Sequence, residues 1–410
     1  MATHLMEAIA GPRVRKSARP LTVCHFTTAH TELKSRSFHR QMMPLAACNT
    51  RIRYAAPIKS SAHLKGVDLV ALPRQKSRLR RLLATPVLLR TLLRQKADLY
   101  HFQDTELLPL AFTLKLVFRK RVIYDAYEDF PAMAAASESL PRLIRPIAAA
   151  IVSAAERFAA RAFDGLMTAD PLTLRRLANV GNSKKLVFYN FPNLDMFPAP
   201  PARSKEFDVV YRGGLSDRTG TYVLLDAVKL LIDQGREIRL LLIGYFDDAA
   251  AERALRLRVH ALRLDASVVI RGRVDHEEMA AALSEARIGV CPLQPVPKFV
   301  RNIPVKVFEY WACGMPVVAS DLPPIRPFFR HAQTGLVYSP ADADRLSQAI
   351  AWLLDHPQAA ARMGRRGRAL VEQRLNNRGE IQKLRRFCAQ IAGRGSFSVE
   401  WASEEASAHA

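Results

Sequence analysis

The sequence predicts an α/β protein of two doubly wound, Rossmann-like domains facing a central cleft, and three observations carry that reading. Short apolar runs alternate with helical patterns along almost the whole chain, the pattern of parallel sheets covered on both faces. A proline-rich break, FPNLDMFPAPPARSKEFD, divides this rhythm into two similar halves. With 410 residues, 49% of them hydrophobic, the chain can bury two large cores.

Taken in order, residues 1–20 are basic and lack an apolar run of signal-peptide length, so they read as a mobile lead. In a first domain, 21–197, strands are expected at Leu21–Phe26, Arg51–Ala55, Asp68–Leu72, Leu99–Phe102, Val122–Tyr124, Gly165–Thr168 and Leu186–Tyr189, with helices in most gaps. A linker, 198–206, holds Pro198, Pro200 and Pro201. In a second domain, 207–376, strands fall at Asp208–Tyr211, Arg239–Ile243, Val268–Ile270, Ile288–Pro292 and Pro316–Ser320. The helices between them are expected at Tyr222–Gln234, Ala249–Leu262 and His276–Ala286. In the first of these Val223, Leu224, Ala227, Leu230 and Leu231 form one apolar stripe. Segment 377–393 contains a last helix, Arg378–Ile391, and 394–410 is a small polar tail that frays.

A net charge of +23 calls for an anionic partner: a phosphorylated substrate, anionic lipid or nucleic acid. The excess lies mainly before Pro198, where about 31 basic residues face about 14 acidic ones. From Pro73 to Lys96 there are eight cations, no acid and a series of leucines, so this stretch could lie on an anionic bilayer or pack as a crossover helix with a solvated face. The most apolar stretches, Leu107–Phe118 and Pro146–Ala155, are broken by Lys115 and ended by Glu156 and Arg157, well short of the roughly 18 residues that a span requires. Five cysteines show no CxxC spacing and no histidine cluster, so no metal site or disulfide framework is expected, and a reduced cytoplasm fits. The basic runs lack interleaved aromatics and any recognisable reading module, which argues against nucleic acid.

The most informative stretch is Asn302–Ser320, NIPVKVFEYWACGMPVVAS. Pro304 suits a helix's first turn and Gly314 its left-handed stop. Lys306 and Glu309, three apart, share a face of that short helix. Such a carboxylate can accept two hydrogen bonds from the vicinal hydroxyls of a ribose; the plain alternative is a surface ion pair. After strand Asp208–Tyr211 comes RGGLSDRTG and then a helix, where glycines and a helix N-terminus could cradle a pyrophosphate; alone, the glycine pair could equally be a turn. There is no GxGxxG or GxxxxGK[ST], which weakens dehydrogenase and P-loop readings. In the first domain Asp104, Glu106, Asp125, Glu128 and Asp129 sit at or just beyond strand ends, where carboxylates could hold substrate hydroxyls or merely cap loops.

With PxKxFEYxAxGxPVxAS intact, the first of these segments resembles the donor-binding core of family 4 glycosyltransferases. DLYHFQDTELLPL, YDAYEDFP, NFP at Asn190–Pro192 and SRSF at Ser35–Phe38 resemble a bacterial branch of that family that reads DLYHxHDxELLPL and YDxHEDxP. The similarity runs from about Thr22 to Asn376.

The resemblance implies the GT-B architecture, with the last helices crossing back onto the first domain. It also implies a sugar moved from a nucleotide-diphosphate donor, with retention of configuration, to a saccharide or lipid-linked acceptor in bacterial surface or exopolysaccharide synthesis. No cofactor or metal is implied. Donor contacts would come from Glu309 (ribose), Lys306 and Arg218 (phosphates or sugar), the Gly213–Gly214 loop (pyrophosphate), and Arg212, Thr219, Arg301 and Asn302. Glu128, Tyr127 and Asp104 would stand at the reaction centre, and Arg36, His101, Gln103 and Asn190 would bind the acceptor.

Departures from the family pattern fall at polar cleft positions: Lys34 for an acid, Gln103 and Tyr127 for histidines, Thr219 where the loop cation usually stands, and Arg301 for the first of two glutamates. They keep a second reading open, a catalytically silent GT-B-like protein that binds membrane or a partner enzyme. The expected location is cytoplasmic, peripheral on the inner face of the plasma membrane.

Overall fold

A computed structural model describes residues 19–28, 33, 35–73, 85–135, 137, 140–181, 183–198 and 205–394. Most of the basic lead, Lys34, the cation-rich first half of Pro73–Lys96, the linker's middle and nearly all of the tail lie outside these residues.

The first sheet has eight strands: β1 (Leu21–Phe26), β2 (Thr50–Ala56), β3 (Ala62–Leu64), β4 (Val67–Ala71), β5 (Leu99–Phe102), β6 (Val122–Ala126), β7 (Gly165–Thr168) and β8 (Lys184–Val187). Their order is β3-β4-β2-β1-β5-β6-β7-β8, parallel throughout except for the edge hairpin β3–β4. The second sheet is wholly parallel, in the order β11-β10-β9-β12-β13-β14. Its strands are β9 (Phe207–Gly214), β10 (Leu240–Tyr245), β11 (Val268–Arg271), β12 (Ala286–Cys291), β13 (Val317–Ser320) and β14 (Gly335–Tyr338).

Every strand that the sequence points to is present within a residue or two of its expected bounds, except that β9 runs three residues past Tyr211, to Gly214. Two are additional. Both lie at sheet edges: Ala62–Leu64 is exposed, and Gly335–Tyr338 is only partly buried despite its apolar residues, so neither gives the pattern of a strand buried on both faces. The expected helix His276–Ala286 shrinks to Met279–Leu283.

Each sheet is packed on both faces. In the second domain Val209, Val210 and Tyr211 are all fully buried, feeding two separate cores on opposite faces of β9. In the first, one face is covered by residues that follow the second domain in the chain. Ile381, Leu384, Phe387 and Ile391 lie in one core with Val23, Ile123 and Met167. The crossing-back helix is therefore structurally part of the first domain. Glu380 Oε2 accepts from Tyr189 N at 2.9 Å, and Asn377 N donates to Pro192 O at 2.9 Å, tying that helix to the end of the first domain.

Strand order reverses between β1 and β5 in one sheet and between β9 and β12 in the other. At such switch points the loops after adjacent strands diverge and leave a crevice for ligands. Thr27, Gln103 and Tyr127 follow the first pair and β6; Leu215 and Pro292 follow the second pair.

Candidate active site

A cavity of about 490 Å³ lies where the two crevices meet, within the range of small-molecule sites. Tyr127, Glu128 and Asn190 line it from the first domain; Arg212, Gly213, Gly214, Arg218, Thr219, Asn302 and Lys306 line it from the second.

The helix that supplies Lys306, Val305–Ala312, is buried from Lys306 to Ala312. Phe308, Trp311 and Ala312 belong to the apolar core, and Gly314, at φ +67, ends the helix in the left-handed conformation expected of it. Pro304 stands at the N-cap rather than inside the first turn. Lys306 Nζ donates to Tyr211 Oη at 3.0 Å and sits 4.1 Å over that ring, a cation–π contact in a mostly buried setting. Gly213 makes this approach possible. At φ +146 it is a glycine conformation, and a Cβ there would come within 2.9 Å of Lys306 Nζ.

Glu309 lies one helical turn beyond Lys306 and is fully buried, so it does not line the open cavity. Its Oε1 accepts from Arg40 Nη2 at 2.8 Å, and Arg212 Nη1 stands 3.1 Å from Oε2. Arg212 is close enough for charge pairing, yet the approach lacks the alignment of a hydrogen bond, which leaves Oε2 without one among the described residues. Burial alone would raise the Glu309 pKa, but Arg212 and Arg40, with His276 and Lys306 farther off, hold it below the usual carboxylate range. Burial, opposed by Glu309, lowers Arg40 to about 10. His276 falls to about 4, first through burial and then through Arg40. The surface-pair reading of Lys306 and Glu309 is excluded, because both are buried and each has a different partner. The ribose-binding reading of Glu309 meets an occupied carboxylate: Arg40, from the π-helical segment Ser35–Met42 of the first domain, covers it.

In the glycine loop, Thr219 Oγ1 lies 2.7 Å from Gly214 O and 2.8 Å from Ser216 O, and accepts from Ser216 N at 3.1 Å. It staples the loop from within and carries none of the charge usual at that position. Arg218 is exposed, pairs with Asp247 at 3.1 Å and borders the cavity. Arg301 is outside this cavity's lining and reaches over to Asp129, and its neighbour Lys298 lies 3.2 Å from Glu128. These two pairs close the cleft's mouth between the domains.

Behind the cavity, Arg36 donates to both oxygens of Asp125, at 3.0 and 2.8 Å, and to Asn190 Oδ1 at 2.6 Å and Phe188 O at 3.1 Å. Asp125 also accepts from Gln41 at 2.9 Å. Burial would raise the Asp125 pKa; Arg36 above all reverses this and keeps it low. Arg36 therefore positions Asn190, which reaches the cavity, and does not line the cavity itself. His101 and His25 share an Nδ1···Nδ1 contact of 2.7 Å, so one ring donates and the other accepts. Burial takes His101 down to about 4. Asp104 accepts from the Thr27 hydroxyl, and Gln103 is buried with neither amide atom hydrogen-bonded among the described residues. His101, Gln103 and Asp104 are likewise outside the cavity's lining.

Sequence reasoning missed Arg40, His276, Tyr211 and Lys298. Arg40 had no signal: it is one basic residue among many, and only the meeting of the two domains gives it a partner. Tyr211 could have been found, since a tyrosine two residues before a glycine loop can aim its hydroxyl back at that loop, as its 2.9 Å bond to Gly214 O does.

Two doubly wound domains facing a cleft, with a glycine loop and a buried Lys–Glu helix at their junction, have the GT-B architecture. Residues 206–356, which make up most of the second domain, match the family described as Glycosyl transferases group 1. The chain is 25% identical over 245 residues to D-rhamnosyltransferase WbpZ of Pseudomonas aeruginosa, covering 57% of this chain and 59% of that protein. It is 31% identical over 160 residues to a GDP-mannose-dependent monoacylated alpha-(1-6)-phosphatidylinositol monomannoside mannosyltransferase of Corynebacterium glutamicum, covering 38% and 40%. Less than two thirds of each relative is thus spanned. The fold matches sucrose-phosphate synthase from Thermosynechococcus elongatus with a TM-score of 0.72 at 19% identity, over 92% of this chain and 100% of that one.

Proposed function

We propose that this chain moves a sugar, with retention of configuration, from a nucleoside-diphosphate donor to a saccharide or lipid-linked acceptor in bacterial surface or exopolysaccharide synthesis. The observation that carries the reading is the buried ammonium of Lys306 held against the Gly213 bend, one turn from Glu309, at the wall of an interdomain cavity. The two relatives, a D-rhamnosyltransferase and a GDP-mannose-dependent phosphatidylinositol monomannoside mannosyltransferase, support such a donor and an acceptor carried on lipid.

In this reading the donor's phosphates lie along Gly213 and Gly214, between Lys306, Arg212 and Arg218. As the glycosidic bond to phosphate breaks, charge grows on the departing oxygen, and cations already in place stabilise it without reorganisation. For the ribose to bind Glu309 through Oε2, which lacks a hydrogen bond but is buried behind the cavity, Arg212 and Arg40 must first shift aside. Glu128 and Tyr127 orient the acceptor, and a leaving phosphate oxygen takes its proton. Burial, with Glu128 next, raises the Tyr127 pKa well above its ordinary value, so it serves as a hydrogen-bond donor and not as a base. Asp104, held by Thr27, and Arg36, His101, Gln103 and Asn190 support the acceptor side. Asn302 borders the donor side, Arg301 stands at the cleft's mouth beside it, and Thr219 shapes the loop.

The test is a panel of UDP-, GDP- and ADP-sugars with saccharide and polyprenyl-phosphate acceptors, read by mass spectrometry. Transfer from one nucleotide class, lost in Lys306→Ala, supports the reading. No transfer and no nucleotide binding by folded protein would favour the silent GT-B-like binder, for which the Arg40 seal over Glu309 is the structural argument.

A further inference from the structure

The apolar stretch Pro146–Ala155 has no part in the cleft. It falls within α1 (Arg145–Ala162), whose outward face is apolar along its length. Ile147 is 59% exposed, Ile151 64% and Phe158 50%, and Leu143 just before the helix is 87% exposed. Ala150 and Ala154 are exposed between them, and the spacing places all of these on one stripe roughly 20 Å long or more. The helix's one carboxylate, Glu156, is fully buried, accepting from Tyr124 at 3.0 Å and pairing with Arg176 at 2.5 Å. Arginines frame the stripe instead: Arg142 and Arg145 at its start, Arg157 and Arg161 at its end.

We propose that this face of α1 docks on an anionic lipid bilayer, with the stripe at the acyl boundary and the four arginines among the headgroup phosphates. An apolar face bounded by cations and free of exposed acid has the chemistry of an interfacial helix. The chain's net charge of +23 acts in the same direction. Among the described residues no helix is long and apolar enough to cross a membrane, so α1 lies on the surface. Antiparallel pairing of two copies through the same face would bring the arginines at one end against those at the other, which disfavours a dimer here.

The placement suits an acceptor carried on lipid. The short helix Phe130–Ala135 packs on α1 and directly follows Glu128 and Asp129 of the cleft. Its Ala132 and Met133 line a second cavity, of about 510 Å³, which Arg218, Lys298 and Arg301 border from the other domain. A docked α1 would hold this cation-lined opening beside the headgroups. That last step rests on the proposed transferase reading; the docking itself does not.

The test is co-sedimentation of the full chain with phosphatidylcholine vesicles, with and without about 30% phosphatidylglycerol, in about 0.1 and 0.5 M NaCl. The parent is expected to pellet with the anionic vesicles only. Ile147→Glu/Ile151→Glu and, separately, Arg157→Glu/Arg161→Glu should each lower the partition coefficient at least about tenfold at an unchanged melting temperature. The arginine variant should also lose most of the salt dependence. Parent-like binding by both variants would overturn the proposal and leave another surface, such as Pro73–Lys96, as the anchor. A parent that ignores vesicles but runs as a dimer, made monomeric by Ile147→Glu/Ile151→Glu, would overturn it in favour of self-association. Sugar transfer to a water-soluble acceptor should be the same in parent and variants. Its absence from a vesicle-binding parent would count against the transferase reading alone.

Discussion

Arg40 Nη2 lies 2.8 Å from Glu309 Oε1, joining two buried side chains 269 residues apart and from different domains. Arg40 is not tolerable there without Glu309, since an ion out of water costs several kcal/mol unless it is paired, and Glu309 is held by Arg40 together with Arg212. The pair therefore holds the domains together, and it also competes for the carboxylate that a ribose would use.

That coupling can be measured as a cycle. Glu309→Gln keeps the side chain's shape but strands Arg40, and is expected to lower stability by about 3 kcal/mol in urea denaturation. Adding Arg40→Met should restore at least about 1 kcal/mol of this. Additive losses would show that the two residues do not stabilise one another.

At the cleft's mouth, Arg301 and Lys298 pair with Asp129 and Glu128 in partly exposed positions, where each pair is worth no more than about 1 kcal/mol. Arg301→Ala should leave the urea midpoint almost unchanged. Arg301→Glu should do more, because it sets like charges across the gap. Small-angle scattering is expected to show a larger radius of gyration at low salt, reverting in about 0.5 M NaCl. Identical low-salt curves for Arg301→Glu and the parent would rule out the clasp.

Gly213→Ala combines an unfavourable φ of +146 with a contact of 2.9 Å to Lys306 Nζ. The expected cost is about 1–3 kcal/mol of stability, with a larger loss of affinity for a nucleoside diphosphate than for the nucleoside. Equal loss for both ligands, by calorimetry, would place the phosphates elsewhere.

Stability should also fall with acid earlier than carboxylates alone would bring about. The His276 pKa is lowered from 6.5 to about 4 by burial and by Arg40. The unfolded chain then binds more protons in that window, so this contribution is complete above pH 6.5 and is lost as pH falls from 6.5 toward 4. Full loss corresponds to on the order of 3 kcal/mol. His276→Gln should flatten the urea midpoint over this range, and an unaltered slope would remove His276 from the account. Glu309, whose pKa is depressed, adds its own loss as pH falls from the ordinary carboxylate value downward.

Much of the fold was legible because buried parallel strands such as Val209–Tyr211 are written as uninterrupted apolar runs, and because Gly314 marks a helix end that only a left-handed residue can make. The edge strand Ala62–Leu64 was not legible, being exposed and short. At the site, Lys306, the Gly213–Gly214 bend, Glu128, Tyr127 and Asn190 do converge on one cavity. What sequence could not supply was depth. A three-residue spacing puts Lys306 and Glu309 on one helix face, but it cannot say that the first borders the cavity while the second lies behind it under an arginine from the other domain. The same holds for Arg36, where a motif signalled a functional position and the contacts show a residue that holds Asp125 and Asn190 in place.

The central claim is that the cavity between the domains binds a nucleoside diphosphate through the Gly213 bend, Lys306 and Glu309. Isothermal titration of UDP, GDP and ADP into the parent, Lys306→Ala and the Glu309→Gln/Arg40→Met pair tests it most directly. One nucleotide should bind the parent with a Kd in roughly the micromolar range, and at least about tenfold more weakly in both variants. Absence of binding by all three nucleotides to folded parent protein, or equal affinity in the parent and both variants, would contradict it.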